Sequence, residues 1–157
     1  MSENKRIIAI DAMGGDRGPA VALGGMNQFL YQYGEGSAFF RVFGPEQKLR
    51  NLLKRFPRVA RNCEIINADE VISGTDKIRD VIRHAHDTSM YMAIKDVREG
   101  NSSAVVSAGN TGVLMALSKL ALKTVDGISR PAITTMLPSG NGDSRVVGLD
   151  LGANVQC

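Results

Sequence analysis

Six residues near the middle of the chain combine small size with hydrogen-bonding side chains, as an anion-binding turn requires. They are Ser107 to Gly112 (SAGNTG), and they separate the apolar run 104–106 from a second apolar stretch that begins at Val113. The first run predicts a short strand buried on both faces, and the second predicts a helix that is apolar nearly all round. Such a junction directs free N–H groups and the positive end of the helix dipole at a ligand. The turn therefore predicts a phosphate site.

Side chains within this turn support the same prediction. Gly109 and Gly112 would let the backbone approach a ligand closely, and either Asn110 or Thr111 can cap the helix. Ser107 adds a hydroxyl where the strand ends.

Two further turns follow predicted strands and have a similar composition. Residues 11–19 follow the apolar run 7–10, and residues 150–154 lie at the end of the apolar run 146–151. Glycine, Asn and Asp are also what ordinary turns use, so each turn alone is equally consistent with a purely structural role. Ligands collect beyond the carboxyl ends of parallel strands, so three such turns at one edge favour a composite site. Its further candidates are Asp11, Gly14, Gly15, Asp16, Asp150 and Asn154.

Several familiar catalytic motifs are missing from the sequence. It contains neither GxxxxGK[ST] nor GxGxxG, which argues against a nucleotide enzyme, and Ser107 lies in VSAGN rather than GxSxG. His84 and His86 lie two residues apart, about 200° around a helix, so they cannot share one metal on one face. We therefore expect no metal site and no cofactor.

Basic residues offer two candidate anion contacts. Arg130 precedes Pro131, which favours an extended backbone, and it could neutralise an anion or form a structural ion pair. A basic run also lies between residues 48 and 61. It is most simply a solvated face, with a docking surface for an acidic protein as the alternative. The run comprises Lys48, Arg50, Lys54, Arg55, Arg58 and Arg61.

Strand and helix patterns alternate along the chain, which predicts a mostly parallel sheet covered by helices on both faces. The last two strands are joined by a short loop and are expected to be antiparallel. Strands are predicted at residues 7–10, 39–43, 63–68, 104–106, 132–137 and 146–151. Helices are predicted at 19–33, 46–56, 76–99 with a possible break at 87–89, and from 113 onward.

Composition limits the class of protein further. The 157 residues are 43% hydrophobic and 22% charged, which is ordinary for one soluble domain or a large piece of one. No apolar run approaches the roughly 20 residues of a membrane helix, and the first residues do not resemble a secretory signal. Two distant cysteines, Cys63 and Cys157, fit a reducing cytoplasm as packing residues. A net charge of +3 with few aromatic residues does not indicate nucleic-acid binding.

Four segments carry a resemblance to a known family. IAIDAMGGD at 8–16, VSAGNTG at 106–112, GISRPAI at 127–133 and LDLGAN at 149–154 occur in the order and spacing of the PlsX family. This family comprises the phosphate acyltransferases of bacterial phospholipid synthesis, and the resemblance covers the whole chain. Members are about twice as long, so residues 1–157 are expected to be the N-terminal part of a single truncated α/β domain that is inactive alone.

This resemblance implies a fold and an activity. The fold is a three-layer α/β/α Rossmann-like architecture related to isocitrate dehydrogenase and phosphotransacetylase. The activity is transfer of a fatty acyl group from acyl carrier protein to inorganic phosphate, giving acyl-phosphate for a downstream membrane glycerol-3-phosphate acyltransferase. The resemblance also implies a homodimer that is cytoplasmic and peripherally membrane-associated.

Residue roles follow from that reaction, in which hydrogen phosphate can attack the thioester without a covalent enzyme nucleophile. Asn110 and Thr111, with the backbone of 109–112, are the catalytic candidates, because they could donate to the oxyanion or to phosphate. Ser107 would either donate to phosphate or support the residues that do, and Arg130 and Lys77 would bind phosphate by offsetting its charge. The site carboxylates would orient cations and loops. Arg83 is a further candidate. Four residues in or just before the helix that holds Lys77 and Arg83 depart from the family pattern, namely Gly74, Ile78, Ala85 and His86.

Three alternatives stay open at this point. One is an acetyltransferase that uses coenzyme A thioesters on the same fold. A second is a dehydrogenase of the related fold, which would bind nicotinamide. The third is a non-enzymatic scaffold for acyl carrier protein and the membrane.

Overall fold

A computed structural model describes residues 6–72, 81, 84–140 and 145–149. The chain separates into two compact units, Met1–Leu122 and Lys123–Cys157. Four candidate site residues lie outside the described residues, so their roles stay predictions. They are Lys77, Arg83, Asp150 and Asn154.

Strands and helices alternate through the first unit, as the sequence predicts. In chain order its elements are β1 (Arg6–Asp11), α1 (Pro19–Tyr33), β2 (Ala38–Gly44), α2 (Glu46–Leu53), α3 (Pro57–Ala60), β3 (Cys63–Asn67), a single 3-10 turn (Ala85–Asp87), α4 (Ser89–Arg98), β4 (Ala104–Ser107) and α5 (Thr111–Leu122).

The four strands form one parallel sheet in the order β3-β2-β1-β4. Strand β1 is central, and its last residue, Asp11, is in register with Phe43 on β2 and with Ser107 on β4. Strand β2 follows β1 on one side, whereas β4 lies on the other. The predicted parallel α/β architecture is confirmed.

Helices pack on both faces of this sheet. On one face, Leu23, Met26 and Leu30 of α1 pack with buried side chains of β1, β2 and α2, among them Ile10 and Phe40. On the other face, Ala93 of α4 packs against Ala9 and Phe43. Burying alternate residues of a strand on opposite faces is the expected consequence of the strand pleat. The result is the predicted three-layer arrangement.

Local sequence signals explain most helix boundaries. Pro19 occupies the first turn of α1, and Gly34 ends the helix with φ 91° while its N–H donates to the Leu30 carbonyl. Thr88 caps α4 and accepts a hydrogen bond from the Tyr91 N–H at 3.3 Å, so the predicted break at 87–89 is confirmed. The predicted end of the second helix at residue 56 is wrong. Helix α2 ends at Leu53, and Pro57 begins the separate short helix α3.

Burial of β4 and α5 differs from the prediction. Strand β4 was expected to be buried on both faces, but Ala104 is exposed and Val106 is 54% exposed, because β4 is an edge strand of the described sheet. Helix α5 buries one stripe, Val113, Leu117 and Ala121, in a cluster with residues of α4. Its apolar sequence had suggested burial nearly all round.

Within the second unit, β5 (Thr134–Pro138) and β6 (Arg145–Leu149) pair antiparallel. The predicted antiparallel pairing is confirmed, and it forms a sheet of its own. Strand β5 begins at Thr134 rather than at the predicted residue 132. None of the helices in the described part of the chain has the length and hydrophobicity that a membrane crossing requires.

Cys63 is predicted to react slowly with alkylating reagents. Burial, together with the charge of Glu64, raises the pKa of its thiol to about 11, so little thiolate is present at pH 8. We expect iodoacetamide to modify Cys63 about 10²-fold more slowly than a free cysteine peptide at pH 8, with the rate rising as pH increases towards 11. Mass spectrometry of a Cys157→Ser protein measures this rate. A rate equal to that of the peptide would contradict the burial of Cys63.

Candidate phosphate site

The best candidate site lies where the carboxyl ends of β1 and β4 adjoin. Strand order reverses here, because the chain passes from β1 to β2 on one side and returns by way of α4 to β4 on the other. Such a switch point leaves a crevice in which α/β proteins bind ligands. Residues 12–18 follow β1 and residues 108–110 follow β4. Two of the three predicted turns therefore meet at this edge, while the third lies outside the described residues.

Asn110 caps the helix that leaves this crevice. Its Oδ1 accepts a hydrogen bond from the Val113 N–H at 3.1 Å, and its carbonyl accepts one from the Leu114 N–H at 2.9 Å. The predicted cap is thus confirmed for Asn110. Thr111 and Gly112 form the first turn of α5, where backbone N–H groups have no partner within the helix. An anion beside this turn would meet those N–H groups and the positive end of the helix dipole.

The buried carboxylate of Asp11 holds the turn after β4 in place through hydrogen bonds. Asp11 is only 3% exposed, and its two oxygens accept hydrogen bonds from the Ser107 and Ser89 hydroxyls, each at 2.7 Å. Its Oδ1 also accepts one from the Met13 N–H at 3.2 Å. The Ser107 oxygen in turn accepts a hydrogen bond from the Gly109 N–H at 3.1 Å. Asp11 therefore connects β1, α4 and the turn after β4.

This network bears on the predicted phosphate contact of Ser107. A hydroxyl has one proton to donate, and Ser107 donates it to Asp11. In this arrangement Ser107 orders the backbone at Gly109. Direct donation from Ser107 to phosphate would require its bond to Asp11 to break.

Close backbone contact brings the β1–α1 loop against the turn. A Cβ atom on Gly14 would lie 2.7 Å from the Gly109 nitrogen and 2.8 Å from both Asp11 Oδ2 and Ser107 Oγ. Gly15 has φ +93°, and a Cβ there would lie 3.2 Å from the Ala108 carbonyl oxygen. Only glycine at position 14 fits this contact without displacing the loop.

A polar cleft of about 450 Å³ opens above these residues. It is lined by the loop after β1, the turn after β4 and a short segment after β3. The lining residues are Met13, Gly15, Asp16, Val71, Ile72, Ala108, Gly109 and Asn110. Asp16 is exposed at its edge. An unpaired carboxylate opposes anion binding, so a phosphate here would require a compensating cation or a distance from Asp16.

Tertiary structure brings together some predicted residues and not others. Asp11, Gly14, Ser107 and Gly109 are in direct contact, and Gly15, Asp16 and Asn110 line the same cleft. Arg130 is exposed in the second unit, at a bend before β5, so its role stays a prediction.

The predicted basic face is partly neutralised by its own neighbours. Arg58 and Arg61 both donate to Glu35, and hydrogen bonding from Arg61 holds the pKa of Glu35 below its ordinary value. Arg50 pairs with Glu46 one helical turn away. These exposed pairs favour a solvated face, and docking of an acidic protein there stays a prediction.

Two contributors at the start of α4 were not predicted as site residues. Ser89 is 1% exposed and supplies one of the two hydroxyls on Asp11. The Met90 side chain packs against Gly109, and a Cβ atom on Gly109 would lie only 2.6 Å from the Met90 Cε. Thr88-Ser89 marked a break in the helical pattern, and Ser89-Met90 match the pattern of the PlsX family, but neither signal linked them to Asp11, 78 residues earlier.

Fold and site together define a class of protein: a parallel α/β domain with a capped helix N-terminus at the switch point of its sheet. A family model described as "Fatty acid synthesis protein" matches residues 7–157. The chain belongs to this family.

Curated relatives have a common name. Proteins named "Phosphate acyltransferase" from Neorickettsia sennetsu and Maricaulis maris are 44% and 42% identical to this chain over 98% and 96% of its length. The chain spans 44% and 42% of the length of these two relatives.

Among solved structures, a phosphotransacetylase from Streptococcus pyogenes has a similar fold. The TM-score is 0.61 at 21% sequence identity, with 92% of this chain and 46% of that chain covered. This similarity supports the α/β fold expected from the sequence.

Proposed function

We propose that this chain is part of an acyltransferase that moves a fatty acyl group from acyl carrier protein to inorganic phosphate. One observation carries the proposal: Asn110, which caps the N-terminus of α5, lines a polar cleft at the switch point of the sheet. The names of the two relatives called "Phosphate acyltransferase" support the proposal that phosphate is a substrate.

The reaction consists of an attack and a departure. A phosphate oxygen attacks the thioester carbonyl carbon, forming a C–O bond and a tetrahedral oxyanion. Collapse of that intermediate breaks the C–S bond, and the carrier leaves as its thiol after taking a proton. Position and oxyanion stabilisation account for most of the required catalysis, because phosphate is itself the nucleophile.

The α5 turn is suited to both tasks. The N–H groups of Thr111 and Gly112 and the side chains of Asn110 and Thr111 would donate to phosphate or to the oxyanion. Asp11 would act as a positioning residue through Ser107, and Arg130, Lys77 and Arg83 would offset negative charge. We further propose that the whole protein is a cytoplasmic homodimer that associates with the membrane surface. Its product, acyl-phosphate, would be the substrate of a membrane glycerol-3-phosphate acyltransferase.

A direct assay tests this function in the full natural protein that carries this sequence. Hexadecanoyl-acyl carrier protein is mixed with radiolabelled inorganic phosphate, and label that extracts with the lipid is counted while carrier thiol is titrated. We expect equal amounts of acyl-phosphate and thiol, with neither formed when phosphate is omitted. Thiol release without labelled lipid would contradict transfer to phosphate. Faster turnover of acetyl-coenzyme A would instead support an acetyltransferase.

A further inference from the structure

An apolar groove of about 620 Å³ begins at the candidate phosphate site and runs along α1. One wall is formed by Gly18, which directly precedes the helix, and by a single stripe of α1 that comprises Val21, Ala22, Gly25, Met26 and Phe29. Their spacing of three and four residues places them on one helix face. From Gly18 to Phe29 the helix advances about 16 Å, the length of an extended chain of about 12 to 14 carbon atoms.

The opposite wall is the face of the sheet that α1 leaves partly uncovered at β4. Ile8 and Ile10 of β1 point to this side, and Val106 of β4 continues the wall while remaining 54% exposed. Val106 is in register with Ile10, so the apolar surface passes from one strand to the next without interruption.

Charge is confined to one end of this groove. Among the described residues that line it, the charged ones are Asp11, Asp16 and Arg17, which lie at the end of β1 or in the loop after it. The same end joins the polar cleft, since Gly15, Asp16 and Ala108 line both spaces. A ligand that fills both spaces would carry a polar group at the cleft and a long apolar tail along α1.

Gly25 adds an independent observation. A glycine in a helix interior costs stability relative to alanine, yet Gly24 and Gly25 are adjacent in the middle of α1. A Cβ on Gly25 would contact nothing within 4 Å, so packing against the protein does not require glycine there. The missing side chain instead widens the groove that Gly25 lines.

We propose that this groove holds the acyl chain of the thioester substrate, with the reacting carbonyl beside Gly15 and Ala108. This inference rests on the proposed function and adds the location of the acyl chain. Burial along the groove favours longer chains by about fourfold per methylene until the groove is full. The occupant is therefore a long apolar chain of roughly 12 carbon atoms or more.

Two adjacent glycines provide a matched test. Gly25→Leu places a side chain into the groove, whereas Gly24→Leu, also free of contacts within 4 Å, lies outside the residues that line it. Acyl-acyl carrier proteins of 4, 8, 12 and 16 carbons are compared in the full natural protein. We expect Gly25→Leu to lower kcat/KM at least 10-fold for 12 and 16 carbons and to leave 4 carbons unchanged. Gly24→Leu should match the natural protein throughout.

Equal losses at every chain length, or identical profiles for the two leucine variants, would overturn the inference. Gly25→Ala adds only one carbon and should give kcat/KM values between those of the natural protein and Gly25→Leu at each chain length. This smaller variant keeps the test valid if Gly25→Leu fails to fold. Calorimetric titration with hexadecanoic acid gives a readout besides turnover, and binding should be lost in Gly25→Leu and kept in Gly24→Leu. If that pattern appears while no thioester yields acyl-phosphate, the proposed function fails and the groove remains an acyl site. If acyl-phosphate forms without the chain-length pattern, the groove alone is wrong.

Discussion

Replacing Gly14 with alanine is expected to reduce acyl-phosphate formation by about 10²-fold, because the loop after β1 would be pushed away from the turn that we propose as the phosphate site. The new Cβ would lie within 2.8 Å of three atoms, and one of them is the backbone nitrogen of Gly109. Backbone atoms cannot rotate away as a flexible side chain can, so the whole loop must move. Overpacking of this kind costs about 1–3 kcal/mol of folding stability.

Steady-state acyl transfer and thermal unfolding of the full natural protein measure the two effects. Gly24→Ala is the matched control, since a Cβ there meets nothing within 4 Å and alanine favours the helix. We expect this control to retain full activity with an unchanged or slightly higher Tm. An active, equally stable Gly14→Ala protein would show that the contact between the two loops is unimportant.

Replacing Asn110 with alanine is expected to lower kcat by about 10² or more if the side chain stabilises the oxyanion or positions phosphate. The same change removes the acceptor of the Val113 N–H and so costs about 1 kcal/mol of stability. Acyl-phosphate formation measures the first effect, and thermal unfolding measures the second. Unchanged kinetics would remove this side chain from the mechanism.

An aspartate at position 110 separates the two roles. Aspartate caps a helix as well as asparagine does, but it lacks the amide donors and places a negative charge beside the proposed phosphate site. We therefore expect Asn110→Asp to keep its Tm and still lose activity. Asn51→Ala, at an exposed position in α2, should change neither property. A fully active Asn110→Asp protein would assign Asn110 to helix capping alone.

Asp11 illustrates how one residue can support a binding site without itself donating a hydrogen bond to the ligand. Its carboxylate is acceptor-only, so it cannot donate to phosphate, yet it orients Ser107 and through it the Gly109 N–H. Because Ser89 occupies the other oxygen, the start of α4 is tied to the same point. The sequence suggested that Asp11 orients loops, and the hydrogen bonds show which ones.

Much of the fold follows from the order of residue types along the chain. The alternation of strand and helix patterns predicted the parallel sheet. Pro19, Gly34 and Thr88-Ser89 marked helix boundaries that the structure confirms. These signals are local, because backbone sterics and capping act within a few residues. The extra helix at Pro57 was missed, since proline both ends one helix and begins another.

By itself the sequence determined the alternation of strands and helices, the small, hydrogen-bonding turn at 107–112 and the family that carries it. Tertiary structure alone decided that Asp11 meets Ser89 and Ser107, that Gly14 touches Gly109, and that β4 is an edge strand of the described sheet with Val106 exposed. The pattern of residues shows how apolar a segment is, whereas the order of the strands in the sheet decides which faces of that segment neighbouring elements cover. That order depends on contacts between residues some 80 to 100 positions apart, and the site and its groove exist only because it brings β1 beside β4.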